Sequence, residues 1–106
     1  MKNIRISTAQ FENKSGDKIH NLNMISTLAG EASRQGAQAV AFHECSVTGY
    51  TFARHLSKQQ MLDLSEYIPE GESIQRLQEI AARHNITVLA GLFEKDNSEK
   101  IYKAYV

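Results

Sequence analysis

Glu44 is the residue of this chain best placed to do chemistry. It follows the apolar run Val40-Ala41-Phe42 and His43, and it precedes Cys45, Ser46 and the turn residues Thr48-Gly49-Tyr50. The apolar run reads as a buried strand, and a carboxylate at a strand end is held more rigidly than one on a loop. Partial burial there would suit it to accept a proton near neutral pH, the task of a general base. The plainer role is a carboxylate that satisfies loop backbone donors, such as those after Thr48.

Other chemistries fit the residues less well. His43, Glu44 and Cys45 are the right residue types for a cysteine hydrolase, but neighbours on a strand project to opposite faces and cannot converge on one substrate. Cys45 therefore reads as a small buried packing thiol. A zinc deaminase needs a His one residue removed from its Glu and a downstream cysteine pair. Here His43 and Glu44 are adjacent, and Cys45 is the sole cysteine. His20, His55 and His84 fall on helix or loop surfaces without ligand spacing and read as solvated. A phosphate-binding loop after the first strand needs several glycines, whereas Phe11 to Asp17 holds only Gly16. No cofactor or metal is expected.

The elements that must position Glu44 can be read from periodicity. Ile4 to Gln10 alternates as a strand, with Ile4, Ile6 and Thr8 on one side. Asp17 is placed to cap a helix in which Ile19, Leu22, Ile25, Leu28, Ala29 and Ala32 form the apolar stripe, and Gly36 closes it. A strand follows from Ala39 to about Glu44. Ser57-Lys58-Gln59-Gln60 fits a capping box that opens a short helix. After Pro69-Glu70-Gly71, the residues Ile74, Leu77, Ile80 and Ala81 line a second long helix. Ile86 to Phe93 reads as another strand, Asp96-Asn97-Ser98 as a turn and Ile101 to Val106 as the start of a further strand.

This order gives an α/β chain whose first three strands lie mainly parallel. Val40 to Phe42 and Ile86 to Phe93 are apolar on both alternating sets, so they need cover on both faces. Two helices can cover one. Nothing in the chain obviously covers the other.

Composition narrows the function classes. The 106 residues suffice for one small domain, and 12 basic residues balance 12 acidic ones. A neutral, interspersed surface argues against nucleic-acid or anionic-membrane partners. No stretch is apolar enough to span a bilayer, and Arg5 interrupts what would be a signal-peptide core from Met1. A cytoplasmic protein is expected.

The pattern resembles the nitrilase superfamily of carbon–nitrogen hydrolases. The resemblance is carried by Gln10, Asn21-Leu22, Glu31-Ala32, Gly36-Ala37, Phe42, Glu44, Thr48-Gly49-Tyr50, Gly91-Leu92-Phe93-Glu94 and Ile101-Tyr102, in that order and spacing. His43 stands where that family usually has a proline, and Lys103 where an asparagine is common. The resemblance implies an α-β-β-α sandwich, of which this chain would be the incomplete β-α-β-α-β amino-terminal portion, with residues 1–106 forming less than half of one domain. It implies a Glu–Lys–Cys triad in which Glu44 is the Glu, with the Lys and Cys falling beyond Val106. Neither Lys58 nor Cys45 fills those roles. Its implied substrates are small amides, N-carbamoyl compounds or nitriles, and its members commonly pair, so a homo-oligomer is expected. The alternative is a non-catalytic, self-associating module of the same fold.

Overall fold

The alternating segment near the amino terminus pairs in parallel with the apolar run that leads to Glu44. In the computed structural model, which describes residues 3–106, these are β1 (Ile6–Ala9) and β2 (Ala39–Phe42). Met1 and Lys2, where the signal-peptide reading begins, lie outside the described residues. Both strands are shorter than their sequence patterns, because each ends where its partner does: the register runs from Ile6 opposite Ala39 to Ala9 opposite Phe42. Between them runs α1 (Lys18–Arg34). The Asp17 carboxylate accepts from the His20 N–H at 3.0 Å, and Gly36 takes φ 88° just past the helix, an angle that costs glycine little.

After β2 come a 3-10 turn (Thr51–His55) and the short α2 (Lys58–Leu64), opened by the expected capping box of Ser57 and Gln60. The long α3 (Glu72–His84) leads into β3 (Thr87–Leu89), which lies parallel to β2 on the side away from β1. Consecutive right-handed crossovers laid down in one direction put both helices on the same face of the sheet. There Leu22, Ile25 and Ala29 of α1 and Ile74, Leu77 and Ile80 of α3 bury Val40 and Phe42.

Three expectations need correction. Ile19 is not in the buried stripe: it is 77% exposed, on a first turn that rims an open cleft with Lys18 and Arg76. Ala81 is only half-buried. The stretch from Ile86 to Phe93 is two strands rather than one, since β4 (Gly91–Lys95) leaves β2 and pairs antiparallel with β5 (Ile101–Tyr105). Ala90 is the joint, exchanging two backbone hydrogen bonds of 2.9 Å with Val106.

Among the described residues nothing covers the second face of the parallel sheet, although the two-sided apolar pattern calls for cover there. Ile4 and Ile6 are 68% and 59% exposed there, beside half-buried Ala39, Ala41 and Leu89. No helix among the described residues is long and apolar enough to cross a membrane.

The free edge of β4 is held by Glu66. Its backbone N–H donates to Phe93 and its carbonyl accepts from Lys95, both at 2.9 Å. Its buried carboxylate accepts from Lys18 Nζ and from the Ser73 backbone N–H, each at 2.7 Å, and from the Ser73 hydroxyl. It thereby caps α3 with a negative charge where the helix dipole favours one. Burial alone would raise the pKa of this carboxyl, but the bonds from Lys18 and Ser73 outweigh that and hold it below the usual glutamate value.

Above all, the turn after β2 crosses β4 at Gly91. A Cβ added to Gly91 would lie 2.3 Å from the backbone nitrogen of Cys45.

Two outcomes follow from this packing. Gly91→Ala should lower stability by about 1–3 kcal/mol, since the clash is with backbone that cannot step aside. A denaturant midpoint equal to that of the parent would contradict the crossing. For Glu66, a depressed folded pKa means its stabilisation is present above the unfolded value and lost as pH falls through the folded one. The stability gap between the parent and Glu66→Gln should therefore be widest above about pH 4.5 and shrink on acidification, and a gap constant through the acid range would sink this account.

Candidate active site

Glu44 lies on the turn that immediately follows β2, at the carboxyl end of the parallel sheet. In open α/β sheets this is the end at which ligands bind. The sequence placed it at the strand end itself. The strand stops sooner because β1 ends opposite Phe42, and the chain then leaves the sheet at His43. The expected partial burial is also absent: the Glu44 side chain is 61% exposed.

The turn itself is tightly held. Gly91 donates its N–H to the Ser46 hydroxyl at 3.1 Å and accepts from the Val47 N–H at 3.0 Å, so the turn is stitched to β4 like a strand two residues long. Asn21, wholly buried in α1, donates to the carbonyls of Val47 at 2.9 Å and Lys14 at 3.0 Å, and accepts from the Lys14 N–H at 2.9 Å. The Asn13 amide donates to the Ser46 carbonyl. Cys45 takes φ 52°, the left-handed region, which an L-residue with a side chain adopts uncommonly and which these bonds hold in place.

Cys45 is fully buried, and its thiol is pushed up to about 11 by burial and then by the Glu44 charge, with Lys103 acting in the opposite direction. It is protonated at neutral pH and poorly nucleophilic there. His43 Nε2 lies 2.6 Å from Asn13 Oδ1, and its ring meets Phe11 edge-on at 5.0 Å. Burial lowers its pKa, which favours the neutral ring. It braces the turn. His20 and His55 are exposed, but His84 is not solvated as expected: it is half-buried, packs against Gly30 and lies 3.4 Å from the Ser26 hydroxyl. Among the described residues no three His, Cys, Asp or Glu side chains gather as a metal site.

What the fold brings to Glu44 is Lys103. The ammonium lies 2.8 Å from Glu44 Oε1 and 4.9 Å from the centroid of the Tyr50 ring. Lys103 sits on β5 opposite Phe93, so the hairpin that starts at the Gly91 crossing also delivers the cation. Sequence reasoning saw Lys103 only as a departure from a family pattern. Its one available signal was a charge between Tyr102 and Ala104 in an otherwise apolar and aromatic strand. Asn21 likewise had a signal: it is polar, yet it stands four residues before Ile25 on the buried side of its helix.

Comparisons with known proteins agree with this architecture. A sequence model described as carbon-nitrogen hydrolase matches residues 5–106. A nitrilase of Pyrococcus abyssi is 30% identical over 93 residues, 88% of this chain and 34% of that protein. The omega-amidase NIT2 of Xenopus tropicalis is 34% identical over 102 residues, 96% of this chain and again 34% of that protein. The chain thus spans about a third of the length of these curated relatives. Among solved structures, a mutant of the amidase from Nesterenkonia sp. AN1 in complex with butyramide superposes with a TM-score of 0.73 at 26% identity, covering 96% of this chain and 37% of that one. An N-terminal amidase shares the fold at a TM-score of 0.77 with 17% identity, over 96% of this chain and 24% of that one. Its α/β architecture is therefore that of the nitrilase-superfamily amidases, present in part, and the chain belongs to the carbon–nitrogen hydrolase family.

Proposed function

We propose that this chain is the amino-terminal part of one hydrolase domain that cleaves non-peptide carbon–nitrogen bonds, with Glu44 as its general base. The observation that carries the reading is Glu44 itself: a carboxylate on a turn fastened to β4, open to a ligand at the carboxyl end of the sheet. Small amides, N-carbamoyl compounds or nitriles are the substrates, in keeping with relatives called nitrilase and omega-amidase. The open sheet face supports the rest of the reading. A face that leaves Ile4 and Ile6 in water calls for a further layer, supplied by the remainder of the domain or, for the isolated chain, by a second copy. On this reading the protein works in the cytoplasm as a homo-oligomer, without nucleic-acid or membrane partners.

In the Glu–Lys–Cys scheme that the resemblance implies, Glu44 takes the proton of a cysteine thiol located beyond Val106. The sulfur attacks the amide carbon while a lysine also beyond Val106 stabilises the negative charge that develops. The carbon–nitrogen bond then breaks, the amine leaves with the proton Glu44 took, and water hydrolyses the resulting thioester to the acid and free thiol. A nitrile passes first through a thioimidate, which water converts to the thioester with loss of ammonia. One of the three groups lies in this chain. Triad members act as a unit, so the 106-residue chain by itself is inactive on this reading.

Glu44→Gln in the complete enzyme keeps the shape of the side chain but removes its basicity, and turnover should fall on the order of 10²–10⁴-fold. Near-parental turnover in a folded Glu44→Gln enzyme would remove Glu44 from the mechanism. Cys45, by contrast, should resist thiol reagents until the protein is unfolded in denaturant, as burial and a thiol near 11 require. Labelling of the native protein as fast as that of the unfolded chain, or a substrate-derived thioester on Cys45, would reverse its assignment as a packing residue.

A further inference from the structure

We propose that Lys103 is a positioning residue for Glu44: its ammonium holds one carboxylate oxygen and leaves the other to receive the proton. This deepens the reading of Glu44 as general base and rests on it. Three contacts constrain the lysine. Its backbone is fixed in β5 by the pairing with Phe93, whose side chain is buried. Its ammonium meets Glu44 Oε1 at 2.8 Å. The Tyr50 ring lies 4.9 Å from the same nitrogen, a geometry in which the ring face attracts a cation.

The pair differs in kind from the other exposed ion pairs. Lys14–Asp17 and Arg76–Glu79 are 3.7 and 3.6 Å apart and join residues one turn apart in sequence. The Glu44–Lys103 contact is closer and ties the turn after β2 to the hairpin strand β5. Exposed pairs contribute little to stability, so stability is not what this one offers. It offers orientation. A glutamate on an open turn samples several rotamers, and a general base works only when the accepting oxygen is within hydrogen-bond reach of the proton. A cation on Oε1 selects one of those rotamers and keeps Oε2 as the accepting atom. The bond to Glu44 raises the Lys103 pKa above its usual value, so the holding charge is retained through neutral pH.

The test is a double-mutant cycle in the complete enzyme, measured as kcat and KM. Lys103→Met keeps the stem and removes the charge. It should lower kcat by about 10–100-fold, the scale of a misplaced catalytic group, and leave KM and the thermal midpoint near the parental values. Lys103→Arg should recover most of the loss. On a Glu44→Gln background, Lys103→Met should have little further effect, because the lysine acts through a carboxylate that is no longer there. If Glu44→Gln loses turnover as expected but Lys103→Met turns over like the parent, the proposal falls while the general-base reading stands. A loss confined to KM, or one of equal size on both backgrounds, overturns it as well. Near-parental turnover in Glu44→Gln would instead mark failure of the underlying reading.

Discussion

The contact on which the rest of the structure depends is the crossing of the post-β2 turn over Gly91. With a Cβ at that position 2.3 Å from the Cys45 nitrogen, only glycine lets the two backbones meet. The close approach then allows Ser46 and Val47 to bond both backbone groups of Gly91. Three consequences follow from one missing side chain. Cys45 is driven into the interior with a left-handed backbone, Glu44 is left at the rim, and β4 is aligned so that β5 returns past the site. Lys103 reaches Glu44 because of that return.

The two closest ion pairs among the described residues differ in burial and in coordination. Both Glu66 and Glu44 lie within 2.8 Å of a lysine nitrogen. Glu66 is almost wholly enclosed and accepts three bonds, from Lys18 and twice from Ser73. Its depressed pKa reflects a carboxylate whose lone pairs are engaged by Lys18 of α1 and Ser73 of α3. Such a group is a poor proton acceptor, because protonation would cost it those bonds. Glu44 has one protein partner on one oxygen and stands mostly in solvent. Residue type and the presence of a cation are the same in both cases, and coordination is what sets them apart.

Much of this was legible in the sequence. Helix stripes, the Asp17 cap, the Ser57 capping box, Gly36 and the parallel order of the first strands all rest on local rules that tertiary packing did not overrule. The failures share a cause. Ile19 satisfies a helical stripe, but α1 begins before the rest of the core reaches it, so periodicity could not see that its partner is absent. Ile86 to Phe93 is largely apolar on both alternating sets, which read as one continuous strand through Ala90. The change of direction is set by Val106, a residue far along the chain. For the site, the position of Glu44 was visible but its exposure was not, and Lys103 was visible only as an odd charge in a strand. Which residue faces which across a hairpin depends on register, and register was not written in either strand alone.

The two faces of the parallel sheet complete the physical picture. On the helix face, Val40 and Phe42 are buried with Ile25, Leu77 and Ile80, a core proportionate to a small domain. On the other, β1 presents Ile6, with Ile4 exposed just before it, and β2 presents the small side chains Ala39 and Ala41. Burying a large aliphatic side chain is worth roughly 1.5–3 kcal/mol, so leaving two of them mostly in water forfeits a sizeable part of the usual stability of a domain. That deficit is intelligible if the face belongs to a sandwich whose second sheet packs about 10 Å away, where alanines in the middle strand leave room for larger side chains opposite. The carboxyl end of such a sandwich is also where Glu44 stands. Closing a second layer over it would supply the burial that this chain does not, and exclusion of water is the condition under which a fixed carboxylate and its cation act most strongly on a reacting group. The exposed face and the exposed Glu44 are thus two views of one missing layer.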